Sequence, residues 1–179
     1  MSTLNVTNIA DPTGTNAMTI DNSGRVLQPA KPAFRVAKTD SDLSVTSGQE
    51  TKVNFNNTVF DIGNNFGSDK FIAPVTGIYH FDASVRVGPD TNNASFYNAV
   101  VFLKKNNNRH VYLQQISTYA NNLSGGTAHM SVCNLHGGVT TSLTAGDEIE
   151  VFVILEGTSP EVKSGADSDF TYFSGYLIG

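Results

Sequence analysis

A single cysteine, Cys133, in 179 residues excludes an intrachain disulfide framework and a cysteine-based zinc cluster. No activating pattern surrounds it, so it is expected to be a small buried hydrophobe. Charge is scarce too. Charged residues make up 15% of the chain, where about 25% is ordinary. Against 16 Asp and Glu stand 11 Lys and Arg, for a net charge of −5. Phosphate affinity comes from clustered cations, so a general nucleic-acid binder is excluded, as is a long solvated helix with ion-paired flanks. No apolar run approaches the roughly 18 residues of a membrane helix, which excludes membrane insertion through one. The opening Met1–Thr7 has neither a cationic nor an apolar signal region, and synthesis in a cytoplasm is expected.

Catalytic and metal motifs are missing as well. There is no nucleophile elbow, phosphate-cradling Gly-Lys-Ser/Thr loop or dinucleotide fingerprint. His80, His110, His129 and His136 form no paired zinc motif, so no catalytic residue and no cofactor is expected. Asp40-Ser41-Asp42 and Asp167-Ser168-Asp169 cluster carboxylates, yet Val45 and Tyr172 stand where a calcium loop needs glycine, and no metal is expected. Asn5, Asn56, Asn93 and Asn122 match the glycosylation spacing, which carries no weight without a secretory signal.

What the chain does contain is alternation. Ile78–Val87 and Glu148–Leu155 alternate with period two, the latter placing Ile149, Val151, Val153 and Leu155 on one face and Glu148 and Glu150 toward solvent. Further strand-like runs cover Ala33–Ala37, Thr51–Phe55, Val59–Ile62, Tyr97–Lys104, His110–Ser117, Met130–Leu143 and Phe170–Ile178. Pro74–Gly77, Asn106–Asn108 and Thr144–Asp147 supply turn chemistry between them. Short strands with regular turns predict an all-β sandwich or jelly roll. Residues 1–32 differ: Leu4–Ile9, Ala17–Ile20 and Arg25–Leu27 are short strand-like pieces, too polar to close a core, and Pro29 and Pro32 set them apart. The chain thus divides into an arm, 1–32, and a folded head, 33–179.

From Lys31 onward an ordered series appears: Pro32–Val36, Val59–Gly63, Phe71–Phe81, Val101–Asn106, Leu143–Ile149 and Phe173–Ile178. This series resembles the globular head of the complement component 1q and tumour necrosis factor superfamily. The resemblance implies a ten-stranded jelly roll that assembles as a homotrimer. The collagen stalk and signal sequence common in animal members have no counterpart here. Leu4–Ile9, Thr13–Asp21 and Ser23–Val26 resemble the N-terminal anchors of phage tail-fibre and head-fibre proteins. That second resemblance implies attachment to a virion, with Leu4, Val6, Ile9, Met18, Ile20 and Val26 as anchoring side chains and other virion proteins as partners.

If the main strands run antiparallel in sequence, their connections alternate between two poles. Gly67–Gly77, the Asn106–Asn108 turn and Thr144–Asp147 then share the arm's pole. Gly88–Ser95, Tyr119–Thr127 and Glu156–Ser168 fall at the distal pole, and long loops on a rigid scaffold are where recognition usually sits. Asp90, Asn92, Asn93, Tyr119, Asn121, Asn122, Glu161, Lys163 and Asp167 are the expected binding residues, through hydrogen bonding and stacking to a host-surface glycan or protein. Lys104, Lys105, Arg109 and His110 form the one basic cluster, a hairpin tip that could meet an acidic virion surface. The expectation is a non-enzymatic virion protein of a tailed phage, a trimeric knob that presents distal loops to the host. Its rivals are a decoration protein with no receptor role and a bacterial lectin or adhesion module.

Overall fold

The computed structural model describes residues 6–90, 96–118, 132–165 and 170–179, among which there is no helix. The arm holds β1 (Asn8–Ala10), β2 (Asn16–Ile20) and β3 (Val26–Leu27). In the head follow β4 (Ala33–Ala37), β5 (Leu43–Ser44), β6 (Glu50–Lys52), β7 (Asn57–Ile62), β8 (Phe66–Gly67), β9 (Lys70–Ile72) and β10 (Gly77–Pro89). The chain continues through β11 (Phe96–Lys105), β12 (Asn108–Ser117), β13 (Cys133–Leu143), β14 (Glu148–Gly157), β15 (Pro160–Val162) and β16 (Tyr172–Leu177).

The head is an antiparallel jelly-roll sandwich. In one sheet β10 pairs with β13 along one edge and with β16 and β15 along the other; β4 and β7 extend it beyond β16, and β5 lies beside β15. The second sheet runs β12, β11, β14, β9, β8, with β6 also on β14. Tyr79, Phe81, Ala83, Val85 and Val87 of β10 are buried, facing Ile149, Val151, Val153 and Leu155 of β14 across the core. Rings fill one end: Phe34 stacks on Phe71 at 4.9 Å between centroids and on Phe66 at 5.2 Å, and meets Phe173 edge-on at 5.0 Å. Gly175 lets these rings approach, since a Cβ there would lie 2.5 Å from Phe81 Cδ1. Burying each such ring contributes about 1.5–3 kcal/mol.

The expected runs and the strands differ in instructive places. Strand β6 stops at Lys52 rather than reaching Phe55, because the Phe55 N–H donates to Asp69 Oδ1 at 2.7 Å and leaves the ladder. The Gly67–Gly77 connection contains β9 and the end of β8. Glu150 does not face open solvent: it is 9% exposed, with Lys52 Nζ at 2.7 Å from its carboxylate. The hairpin between β11 and β12 turns on Asn106 and Asn107 at φ 50° and 66°, a left-handed conformation that asparagine tolerates best after glycine.

The arm's three strands pair only with one another among the described residues. Two turns of one design join them. Asp11 Oδ1 accepts from the Thr13 and Thr15 N–H groups, and Asp21 Oδ1 from those of Ser23 and Arg25, all within 3.0 Å. In each, a glycine at positive φ follows, Gly14 at 91° and Gly24 at 77°.

Candidate functional site

Backbone pairing sorts the head's ends into two poles, as alternating connections require. At the arm's pole Leu177 N donates to Pro32 O, Ile78 N to Gly179 O, Gly146 N to Ala73 O and Asn106 N to Glu148 O. Asp147 is the hub of this end. Its carboxylate receives the Asn106 side-chain amide at 2.7 Å, the Thr144 N–H at 2.7 Å and the Lys105 ammonium at 2.8 Å. Bonds from Lys105, then Asn106 and Thr144, hold the Asp147 pKa at about 2. A cleft of about 520 Å³ lies at the same end, between arm and head, lined in part by Ala17, Ala30, Pro32, Pro74, Val75 and Ile178.

The distal pole is assembled from the other strand ends. Pro89 pairs with Pro160, Asp90 N donates to Ser159 O, Phe96 pairs with Gly157, and Thr118 N donates to Tyr97 O. Gly88 lies against Val132: a Cβ there would come within 2.9 Å of Val132 Cγ2. Side chains of Tyr97, Val132 and Phe170 stand exposed, the Phe170 ring covered on one side by the Arg86 guanidinium at 4.2 Å.

Of the nine expected binding residues, three lie among the described residues. Asp90 is exposed on the distal pole. Glu161 lies in strand β15 rather than in a loop, and its carboxylate holds Lys163 Nζ at 2.6 Å. Lys163 also reaches Asp42 at 3.1 Å. Burial works against its charge, but the bonds to Glu161 and Asp42 outweigh it and raise its pKa. Glu161 and Lys163 therefore tie β15 to the segment before β5. Asn92, Asn93, Tyr119, Asn121, Asn122 and Asp167 lie outside the described residues, as does Leu4 of the arm. Tyr97, Val132 and the Arg86–Phe170 pair went unnoticed in the sequence; an aromatic opening a strand after an Asn-rich stretch is the signal that could have found Tyr97.

The remaining clusters have local duties. Lys104 and Arg109 both bind the Glu50 carboxylate, and Lys105 binds Asp147, so these three cations of the hairpin tip are paired. Asp40 holds the buried Lys38 at 2.6 Å. Cys133 is half-buried against the core, and burial raises its thiol pKa. Among the described residues no group of three His, Cys, Asp or Glu side chains converges as metal ligands do.

Residues 33–178 match the sequence model of the C1q domain. The chain belongs to the C1q domain family. Solved structures agree on the fold of this C1q domain. It superposes on the globular domain of zebrafish complement 1qA with a TM-score of 0.53 and 19% identity, over 83% of this chain and 98% of that one. Eiger TNF from S. frugiperda gives 0.58 and 12%, over 83% and 94%. Murine APRIL at pH 5.0 gives 0.51 and 15%, over 83% and 99%. No curated protein matches the sequence.

Proposed function

We propose that this C1q-domain chain is a non-enzymatic structural protein of a tailed-phage virion, a homotrimeric knob. It attaches through residues 1–32 and turns its distal pole toward a host-surface glycan or protein. The observation that carries this reading is the division of labour between the poles. The arm enters and the last strand ends where turns are short and cross-bonded, while the connections 90–95, 118–132 and 163–171 leave from the opposite end. A particle-bound arm would hold that opposite end outward.

The outer face of the β10 sheet supports three copies. Register places His80, Tyr176, Ala33 and Ile62 in one row across β10, β16, β4 and β7, with Ile78 and Phe60 in the neighbouring rows. Ile62, Ile78, Phe60 and Tyr176 are all exposed. The same face carries His80, Asp82 and Arg35, and exposed large apolar side chains set among polar ones suit an association surface. Three copies would present each distal residue together and multiply weak contacts about 10²- to 10⁴-fold when they engage at once.

Sedimentation of the full chain at micromolar concentration tests assembly, with three copies expected and a stable monomer refuting it. Antibody labelling of intact particles tests attachment; particles that never carry the chain refute the virion role. Combined Asp90→Ala and Tyr97→Ala substitutions are expected to lower adsorption to host cells at least roughly tenfold by weakening three sites at once. Unchanged adsorption by particles that carry the variant would leave decoration as the role.

A further inference from the structure

The arm presents an apolar face that its own sheet does not cover. Ile9 pairs with Met18 and Ile20 with Val26. Met18 and Ile20 are two residues apart on β2, so all four side chains share one face. Ile9 is 49% and Val26 54% exposed. On the opposite face Thr19 Oγ1 donates to Asn8 Oδ1 at 3.0 Å, and Leu27, which pairs with Thr19, is the one large apolar side chain exposed there among the described residues. The apolar face bears no charge, because Asp11 and Asp21 are held in their turns and Arg25 folds back onto Asp21 at 2.7 Å. Three short strands with one such face and no covering layer among the described residues lack a core of their own.

We propose that this face is covered by the same face of other copies of this chain, so that the arms close into a shared stalk beneath the heads. The inference rests on the three-copy reading above. An uncharged apolar surface is complementary to itself, whereas a charged partner would find nothing to pair with. Tethering favours copies over any free partner. Lys31 N donates to Gln28 O at 3.1 Å and Lys31 Nζ to Ile178 O at 2.9 Å, which fixes the arm's exit beside the last strand of its head. Arms leaving three joined heads over so short a link meet at about millimolar effective concentration. The apolar surface is also continuous in character across the junction, since Ile78 and Ile178 are exposed at the same pole. Ile9, Met18, Ile20 and Val26 thus contact copies of themselves, and the particle is left the side of the stalk that carries Asn8, Thr19 and Leu27.

Disulfide trapping in the full chain tests this. In a Cys133→Ser background, Ile9→Cys, Met18→Cys and Ile20→Cys are each oxidised mildly and run on non-reducing gels, beside Thr19→Cys from the opposite face. At least one of the three is expected to convert most of the chain to linked pairs, with Thr19→Cys remaining single. If none links more than Thr19→Cys while sedimentation still gives three copies, the stalk is refuted and the trimer stands; a monomer refutes both. Met18→Glu combined with Ile20→Glu supplies a second readout. It is expected to raise the concentration at which the assembly dissociates at least tenfold, and an unchanged value overturns the proposal.

Discussion

Phe34 in the head is met by the rings of Phe66, Phe71, Phe81 and Phe173, while Ile9 and Val26 in the arm stand exposed on a sheet ordered by two aspartate turns. The head's order comes from burial, which needs residues far apart in sequence. The arm's comes from a short ladder, reaching among the described residues no farther than Thr7 to Ile20, closed by turn hydrogen bonds spanning two to four residues. A segment ordered locally keeps its apolar side chains available, and that makes it suited to joining something else.

Four substitutions sharpen or break this contrast. Phe34→Ala is expected to cost about 3–5 kcal/mol of head stability, read by urea denaturation; a loss below about 1 kcal/mol would mean that the ring cluster does not hold the sandwich. Gly175→Ala should follow at about 1–3 kcal/mol through overpacking against Phe81 and Phe34. Next comes Asp147, whose carboxyl sits at about 2 against its ordinary 3.8. A depressed carboxylate stabilises the fold above its unfolded pKa, so this contribution is present near neutrality and is lost as pH falls from about 4 through 2. Asp147→Asn should flatten that acid limb of the unfolding curve, and an unaltered limb would remove Asp147 as the hub of the arm's pole.

Asp21→Ala has the smallest expected effect on the head. Its melting should stay within about 0.5 kcal/mol of the parent, while amide exchange at Ser23 and Arg25 quickens. A head that melts with the arm variant would show that the two regions are one cooperative unit.

Much of the head is legible in the residues, because long strands write their burial as alternation. Ile78–Val87 and Glu148–Leu155 lie within β10 and β14, and the Asn106–Asn107 turn falls where left-handed backbone demands it. Strands β5, β8, β9 and β15 are two or three residues long and show no period of their own; Glu161 is a strand residue only because Gly88 and Ser44, both distant in sequence, pair with it from either side. Lys163 has a related cause: besides Glu161 two residues away, its second partner Asp42 is distant in sequence, so the residue reads as a loop cation until the fold brings the three together. Glu150 is hidden by Lys52 of a strand that pairs across β14, which no local pattern records. The arm's turns, by contrast, are written openly in Asp-Pro-Thr-Gly and Asp-Asn-Ser-Gly.

Strand β16 sits between β4 and β10 in its sheet, although it is the last described strand to leave the ribosome. Until it arrives, β4 and β10 have bare edges and Phe34 lacks Phe173, so the nascent head spends its synthesis with an open seam exposed to mispairing. Stalled on the ribosome at Phe170, the chain should be cut by protease throughout the head. Resistance should appear in one step once Tyr172–Leu177 clears the exit tunnel, which makes the closing of this seam the event that completes the head.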